Sequence, residues 1–354
     1  MVTSADRIAV AMSGGIDSTY AAIKLKEEGY EVTGVSLQLW HAFNKEEVNK
    51  NQDRLKRISD YFEFEIISIS AEHEFRKYVI EYFDEALLDG LTPNPCIVCN
   101  KQIKFGFLIE TIQKFGFNFI ATGHYVRTMI RKNGEAILLK GKDKHKDQSY
   151  YLCWLDQKKL QRCVFPLGEM NKTDVINNIK TSSIHLEDVK ESQDLCFLSG
   201  HDYSEYIHKY LPSLIQPGEI VDNNNIIIGN HNGLAFYTIG QRKGIGIAAK
   251  TPMYVMEKDI KNNRLIVGNL NDFGRDEFFV NKTHWICKDH QELPKMVSLK
   301  IRFKAKPVKA IIDSTTKNST IRVKLFKKLK DITPGQFAVF YHKDILLGGG
   351  IINY

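Results

Sequence analysis

Ile8-Ala9-Val10-Ala11-Met12-Ser13-Gly14-Gly15-Ile16-Asp17-Ser18 is the stretch on which the fold turns. The apolar run from Ile8 to Ala11 has the length and composition of a buried strand. It breaks at Ser13-Gly14-Gly15, after which Thr19-Tyr20-Ala21-Ala22-Ile23-Lys24-Leu25 has helical character. Two glycines let the backbone turn tightly and bring its N–H groups close to a ligand. Ser13, Ser18 and the positive end of the helix dipole add to this, so the loop suits a phosphate or pyrophosphate. It is neither the G-x-x-x-x-G-K-[ST] loop nor the G-x-G-x-x-G turn. An ordinary Gly-Gly turn capped by Asp17 is the plain alternative, and the register of strand, loop and helix weighs against it.

Working outward, the first 130 residues alternate apolar runs with helical stretches, the pattern of a parallel α/β sheet. Strands are expected over 8–11, 32–39, 65–69 and 119–122, and helices near 18–28, 45–62, 72–88 and 103–115. Ligands of such sheets sit at the C-terminal strand ends, where the 13–18 loop, Leu37-Gln38-Leu39 and Gly123-His124 should converge. From 131 to 200 the pattern is mixed, with helices expected near 156–163 and 172–180. Beyond 205, short β-rich runs at 226–228, 234–238, 253–258 and 264–267 are separated by Asn/Gly turns. Val297, Leu299, Ile301 and Phe303 alternate with Ser298, Lys300, Arg302 and Lys304, a period-two strand with a basic outer face. Further strands are expected at 310–313, 320–326, 337–342 and 345–352. The expected architecture is an α/β domain over 1–204, a small β-rich domain over 205–279 and a C-terminal β-barrel over 280–354.

The chain has 354 residues and a net charge of +7. It has no apolar run long enough to span a bilayer and no signal-peptide pattern, so a cytoplasmic protein without membrane contact is expected. Its six cysteines, at 96, 99, 153, 163, 196 and 287, are too few and too scattered to staple a secreted domain. Between Lys295 and Lys330 twelve Lys or Arg face one acid, Asp313. That concentration fits a polyanion, nucleic acid before membrane, or else a Lys-rich strand edge that resists aggregation.

Asn94-Pro95-Cys96-Ile97-Val98-Cys99-Asn100 follows Pro93, and the two prolines predict a rigid loop that holds both thiols outside a helix core. Lys101 and Lys104 are expected to lower the thiol pKa and favour thiolate. A third thiol lies in Glu191-Ser192-Gln193-Asp194-Leu195-Cys196-Phe197. Three cysteines beside a phosphate loop point to sulfur handling; a structural zinc site, which would need a fourth ligand, or a redox dithiol are the alternatives. Cys153, Cys163 and Cys287 read as inert core thiols.

The 13–18 loop resembles the SGGxDS PP-loop of ATP pyrophosphatases, whose fold is the adenine-nucleotide α-hydrolase-like parallel sheet. Over nearly its whole length the chain resembles the tRNA-specific 2-thiouridylase family. The resemblance is carried by Thr92-Pro93-Asn94-Pro95, Cys99-Asn100-Lys101, Ile103-Lys104-Phe105, Ala121-Thr122-Gly123-His124-Tyr125 and Lys146-Asp147-Gln148-Ser149-Tyr150-Tyr151-Leu152. It continues through Ser192-Gln193-Asp194-Leu195-Cys196-Phe197, Thr238-Ile239-Gly240-Gln241-Arg242-Lys243-Gly244, Thr333-Pro334-Gly335-Gln336-Phe337 and Leu347-Gly348-Gly349-Gly350.

The resemblance implies ATP on Ala11, Met12, Ser13, Gly14, Gly15, Ile16, Asp17 and Ser18, with Leu37 and Gly123 around the adenosine. Mg²⁺ would neutralise the phosphates, with Asp17 as the nearest carboxylate. The wobble uridine of a tRNA would enter near Asn94, Pro95 and Cys96, and ATP would adenylate its C2 oxygen. Cys196 matches the persulfide carrier, loaded by a cysteine desulfurase or a sulfur-relay protein. Cys99 matches the second catalytic thiol, which forms a disulfide with Cys196. His124, Lys146, Asp147, Gln148, Arg302, Phe303 and Gln336 match positions that contact tRNA, expected to be those for Lys, Glu and Gln.

Many members of the family carry Asp where this chain has Cys96. Cys96, Cys99 and Cys196 therefore also allow a second scheme, a [4Fe–4S] cluster with one open iron. The persulfide relay is preferred, because Cys96 can replace Asp without new function. A tRNA-binding sulfur carrier without adenylation is disfavoured by the intact 13–18 loop, and an amidotransferase-type synthetase by the lack of an ammonia-producing domain.

Overall fold

A computed structural model of the protein describes residues 6–43, 46–180, 195–269, 274–286, 294–313 and 319–354. Its first seven strands are β1 (Arg7–Ala11), β2 (Glu31–Gln38), β3 (Ile66–Ser70), β4 (Phe119–Thr122), β5 (Val126–Ile130), β6 (Ala136–Lys140) and β7 (Cys163–Val164). Five of them form a parallel sheet in the order β3-β2-β1-β4-β7. Ile8, Ala9 and Val10 are wholly buried, since a central parallel strand is covered on both faces and needs an unbroken apolar run. Helices at Ile16–Glu27, Glu46–Phe62, 72–88 and 95–114 cover the sheet. The chain leaves β1 for β2 on one side and reaches β4 on the other, so a crevice opens at the C-terminal ends of β1 and β4.

One local expectation fails here. Residues 95–99 are helical, not loop. Asn94 takes the cap position and Pro95 the first helical position, where a missing N–H costs nothing, so the proline starts a helix.

A second sheet, β10-β11-β8-β9, comprises β8 (Gly218–Val221), β9 (Ile227–His231), β10 (Met253–Asp259) and β11 (Arg264–Asn269). The strand expected at 234–238 is instead a 3₁₀ turn, Leu234–Phe236.

The last strands are β12 (Arg275–Trp285), β13 (Met296–Lys300), β14 (Val308–Asp313), β15 (Ile321–Leu329), β16 (Phe337–His342) and β17 (Ile345–Asn353). They run in the order β12-β15-β14-β13-β16-β17, and β12 also pairs with β17, which closes the expected barrel. β13 stops at Lys300 and does not continue to 304. The chain turns there, and Phe303 leaves the alternation to pack on Tyr151, ring centroids 4.6 Å apart.

The β5–β6 hairpin, which the mixed pattern after 130 conceals, leaves the parallel sheet and adds to the barrel. Ile345 and Leu346 of β17 pair with Leu139 and Leu138 of β6. A shared core fills the junction: Tyr150, Leu152, Cys153 and Trp154 pack with Phe337, Val339, Tyr341 and Leu346. The Tyr150 hydroxyl donates to the Phe337 carbonyl at 3.0 Å and the Trp154 indole N–H to the Gly349 carbonyl at 3.2 Å. The Leu347-Gly348-Gly349-Gly350 motif follows from this closeness, because a Cβ on Gly349 would lie 2.8 Å from the Ala338 carbonyl oxygen and 3.0 Å from Cys153 Sγ. Among the described residues no helix is long and apolar enough to cross a membrane.

Gly349→Ala should therefore lower folding stability by about 1–3 kcal/mol, the usual range for overpacking. Chemical denaturation measures it; an unchanged midpoint would show that the barrel wall yields at this point.

Candidate active site

The loop after β1 begins where the Met12 N–H donates to the Val35 carbonyl at 2.8 Å. Gly14 adopts φ +75°, the left-handed region that favours glycine. Gly15 caps Ile16–Glu27 with no side-chain hydrogen bond, which leaves N–H groups of the first turn for a ligand. The Ser18 hydroxyl fixes the loop by donating to the Gly15 carbonyl at 3.0 Å and accepting from the Ser13 N–H at 3.2 Å. Gly123, at the end of β4, lies against this turn; a Cβ there would sit 2.7 Å from the Asp17 carbonyl carbon. Leu37 is half-buried at the end of β2. The crevice thus gathers the residues expected around a nucleotide.

Two further residues join it. Lys172, the first residue of the helix Lys172–Lys180, places Nζ 2.6 Å from Asp17 Oδ1, and the Tyr125 hydroxyl donates to the same oxygen at 2.8 Å. The lysine side chain is 9% exposed and the aspartate 32%, so the pair lies at the crevice wall. The Lys172 N–H donates to Asp143 Oδ2 at 3.0 Å, which fastens that helix. Sequence spacing offered no signal for Lys172, since tertiary folding alone brings it to Asp17. Asp17 was expected as a Mg²⁺ neighbour, yet its Oδ1 already takes two donors. Among the described residues no group of three or more His, Cys, Asp or Glu is arranged to hold a metal ion.

Cys96 and Cys99 stand one turn apart at the start of the 95–114 helix, which widens to π-type bonding over Asn100–Phe107. Cys196 begins the 3₁₀ turn Cys196–Leu198. Its neighbour Phe197 anchors that turn, buried against Phe75, Phe83 and Tyr206 at centroid distances of 6.3, 5.2 and 5.6 Å. The Ala42 N–H also donates to the Phe197 carbonyl at 2.9 Å. These contacts bring Cys196 within electrostatic reach of both Cys96 and Cys99.

The five described cysteines are free thiols; Cys96 and Cys196 keep solvent-facing surface and Cys99 is buried. Desolvation nevertheless pushes the Cys96 thiol up to about 11 and the Cys99 thiol up to about 12, and raises Cys196 as well. Lys104 works in the opposite direction on all three and does not win. This corrects the expectation of ready thiolates. Lys101 is diverted, its Nζ lying 4.6 Å from the centre of the Trp154 ring. Cys96, Cys99 and Cys196 all lie among the described residues, where no metal-holding group of three is found.

Beside the thiols is a cavity of about 620 Å³ lined by Asn94, Pro95, Cys96, Tyr151, His201 and Tyr203, among others. Its size suits a small-molecule or nucleobase ligand. His124 closes the inner side of the helix, its Nδ1 2.8 Å from the Thr122 hydroxyl and its ring near Phe105. Burial, with Lys104 adding to it, lowers its pKa to about 3, so it is neutral at physiological pH.

Other residues matched to tRNA contacts make bonds within the chain. Asp147 is buried and accepts from the Gly141 N–H, the Ser149 N–H and the Ser149 hydroxyl, each at 3.1 Å. Gln148 Oε1 accepts from the Tyr125 N–H at 2.9 Å, and Lys146 is half-exposed. Arg302 donates to the Ile239 carbonyl at 2.9 Å and to the Thr333 hydroxyl. Gln336 donates to the Thr92 and Pro93 carbonyls at 3.0 and 3.2 Å. Cys153 and Cys163 are buried, while Ser192, Gln193, Asp194 and Cys287 lie outside the described residues.

Residues 6–200 match the tRNA methyl transferase HUP domain, 204–269 the tRNA methyl transferase PRC-barrel domain and 275–352 the aminomethyltransferase β-barrel domain. The chain is 38% identical over 347 residues to tRNA-specific 2-thiouridylase MnmA 2 of Clostridium botulinum strain Langeland, covering 98% of each. This chain belongs to the MnmA family of tRNA-specific 2-thiouridylases. MnmA 2 of Thermoanaerobacter sp. strain X514 is 38% identical over 358 residues and MnmA 2 of Clostridium tetani 36% over 355, again with 98% of each chain covered. The β1–β4 crevice, with Lys172 2.6 Å from Asp17 at its wall, lies within the residues that match the HUP domain.

Two outcomes follow. Folded His124 titrates near 3 and unfolded His near 6.5, so below pH 6.5 only the unfolded chain gains this proton. Stability from this residue is full above pH 6.5 and declines toward pH 3 by up to about 1.4 kcal/mol per pH unit. His124→Asn should flatten the urea-unfolding profile between pH 6.5 and 4.5; an unchanged slope would mean that the folded histidine takes up its proton normally. Lys172→Met should weaken ATP binding by about tenfold or more in calorimetry, the loss of one charged contact. Unaltered affinity would restrict Lys172 to neutralising Asp17.

Proposed function

We infer that the protein catalyses ATP-dependent 2-thiolation of the wobble uridine of tRNA, with Cys196 as the sulfur carrier and Cys99 as the second thiol. Support comes from family membership and, within the chain, from the electrostatic coupling of Cys196 to Cys99 and Cys96 beside a cavity of nucleobase size.

A urea-type carbonyl is a poor electrophile, so the uridine C2 oxygen attacks the α-phosphorus of ATP and pyrophosphate leaves. The N–H groups in the first turn of the Ile16–Glu27 helix and the Lys172 ammonium stabilise the charge that develops on the phosphates. A Mg²⁺ entering with the nucleotide would neutralise phosphate charge beside Asp17. The terminal sulfur of a Cys196 persulfide then attacks C2 and AMP departs, leaving Cys196 Sγ joined to the new sulfur. Cys99, after losing its proton, attacks Cys196 Sγ, which forms a Cys99–Cys196 disulfide and releases the thiouridine. A thiol reductant reopens the disulfide, and a cysteine desulfurase or sulfur-relay protein reloads Cys196. The substrates are tRNAs of the Lys, Glu and Gln types.

Burial of Cys99 has a use in this scheme. A thiol held near 12 stays protonated until substrate is bound, and Lys104 is the cation at hand when its charge develops.

Mass spectrometry of tRNA nucleosides after incubation with enzyme, ATP, Mg²⁺ and a sulfur source tests the scheme. Cys99→Ala and Cys196→Ala should each abolish 2-thiouridine with ATP binding intact, whereas Cys96→Asp should retain it. Undiminished product in either alanine variant rejects that thiol, and loss of product in Cys96→Asp would make Cys96 a third participant.

A further inference from the structure

The short turn that carries Cys196 is held by residues 41–43, which follow the end of β2. The Ala42 N–H donates to the Phe197 carbonyl at 2.9 Å, and His41 Nδ1 shares a hydrogen bond of 3.0 Å with the Ser199 hydroxyl. The Phe43 ring stacks on His201, with centroids 4.1 Å and planes 21° apart. From the other side the helix Tyr203–Tyr210 grips the same segment. Lys209 Nζ and the Tyr210 hydroxyl both donate to the Ala42 carbonyl, at 2.8 and 2.5 Å. Lys209 Nζ also lies 4.8 Å from the centre of the Phe43 ring. Both main-chain polar groups of the buried Ala42 are thus bonded.

The turn needs this outside support. Ser199 adopts φ +50°, the left-handed region, which costs free energy for a residue other than glycine and persists where neighbours fix it. Phe197 anchors the turn at one buried ring, and a single anchor fixes a position but not a rotation. The contacts to Ser199 and His201 supply the rotation. The His201 ring has its own orientation set by Glu205, whose Oε2 lies 2.8 Å from Nδ1, so Phe43 stacks on a ring of fixed plane. Leu195, Leu198, Gly200 and His201, on both sides of Cys196, line the same cavity as Asn94, Pro95 and Cys96. The way the turn faces therefore sets where the Cys196 sulfur stands relative to the start of the 95–114 helix.

We propose that His41 and Phe43 are positioning residues for sulfur transfer: residues 41–43 clasp the Cys196 turn through Ser199 and His201, and aim its sulfur at Cys99 and the target base. This rests on the thiolation scheme above for the chemistry, but not for the clasp itself. No bond is made or broken at His41 or Phe43; both act through the turn. No sequence motif marks either residue, because the partner of each lies 158 residues along the chain.

The test compares the parent chain with His41→Ala, Ser199→Ala, the double variant, Phe43→Ala and Phe43→Tyr. Three quantities are measured: first-turnover 2-thiouridine from protein preloaded with sulfane sulfur at saturating ATP and tRNA, tRNA-dependent pyrophosphate release in that turnover, and the alkylation rate of Cys196 by iodoacetamide in unloaded protein. Thiolation in His41→Ala and Phe43→Ala should fall by about tenfold to a hundredfold, the scale of an ångström-level misplacement. Pyrophosphate release should match the parent, and Cys196 should alkylate faster. Phe43→Tyr keeps the stacking face and should keep the rate. The double variant should be no slower than the slower single, because either change removes the same contact. Parent-like thiolation and alkylation in both His41→Ala and Phe43→Ala would overturn the clasp. A parallel fall in pyrophosphate release would overturn it equally, since the segment would then serve the nucleotide step. Additive losses in the double variant would reject the bond between His41 and Ser199 as its basis. Should an alanine variant of His41 or Phe43 fail to fold, Ser199→Ala and Phe43→Leu, which remove only the hydroxyl and the ring, carry the comparison. If the parent protein makes no 2-thiouridine, the thiolation scheme fails, while the alkylation of Cys196 still decides the clasp.

Discussion

Trp154 packs edge-on against Phe337 of the barrel, ring centroids 4.7 Å apart, and donates its indole N–H to Gly349. Tyr150 bonds the Phe337 carbonyl, and Asp147 orders the turn that presents both rings. Burying aromatic surface of this size, with each polar edge satisfied, gives a rigid contact. The consequences reach the crevice. With β6 paired to β17, the barrel is held to the α/β unit by sheet bonds on one side and by a shared core on the other. The 333–336 turn can rest on Thr92 and Pro93 only because that contact fixes the barrel's position.

The crevice combines two electrostatic environments. Around Asp17, Lys172 and the start of the Ile16–Glu27 helix it is polar and charged. Around the thiols desolvation outweighs the nearby Lys104, so the resting sulfurs are neutral. A site that joins a phosphoryl step to a sulfur step benefits from this division, because a thiol kept protonated does not spend itself on stray electrophiles.

Legibility followed the range of the interactions. β1, the Gly-Gly turn and the following helix are readable because each depends on neighbours within a few residues. β13 is readable up to Lys300, where alternation reports a half-buried strand, and fails beyond it because Phe303 finds a better surface on Tyr151. Pro95 misleads for a different reason. A proline breaks a helix from inside and starts one from its first position, and only the packing of Ile97, Val98 and Cys99 decides which applies. β6 is hidden because β17, which pairs with its second edge, lies some two hundred residues on.

The sequence by itself determined the nucleotide loop, the succession of an α/β unit, a small β sheet and a barrel, and the three thiols on two separate segments. Those properties follow from periodicity, backbone chemistry and motif order. Tertiary structure alone decided that Lys172 meets Asp17, that burial and not Lys101 governs the thiols, and that Asp147, Arg302 and Gln336 bond within the chain. The physical reason is that desolvation and hydrogen-bond partnership depend on what surrounds a side chain in space. A residue's type says which bonds it can make; only the packed chain says which of them are made.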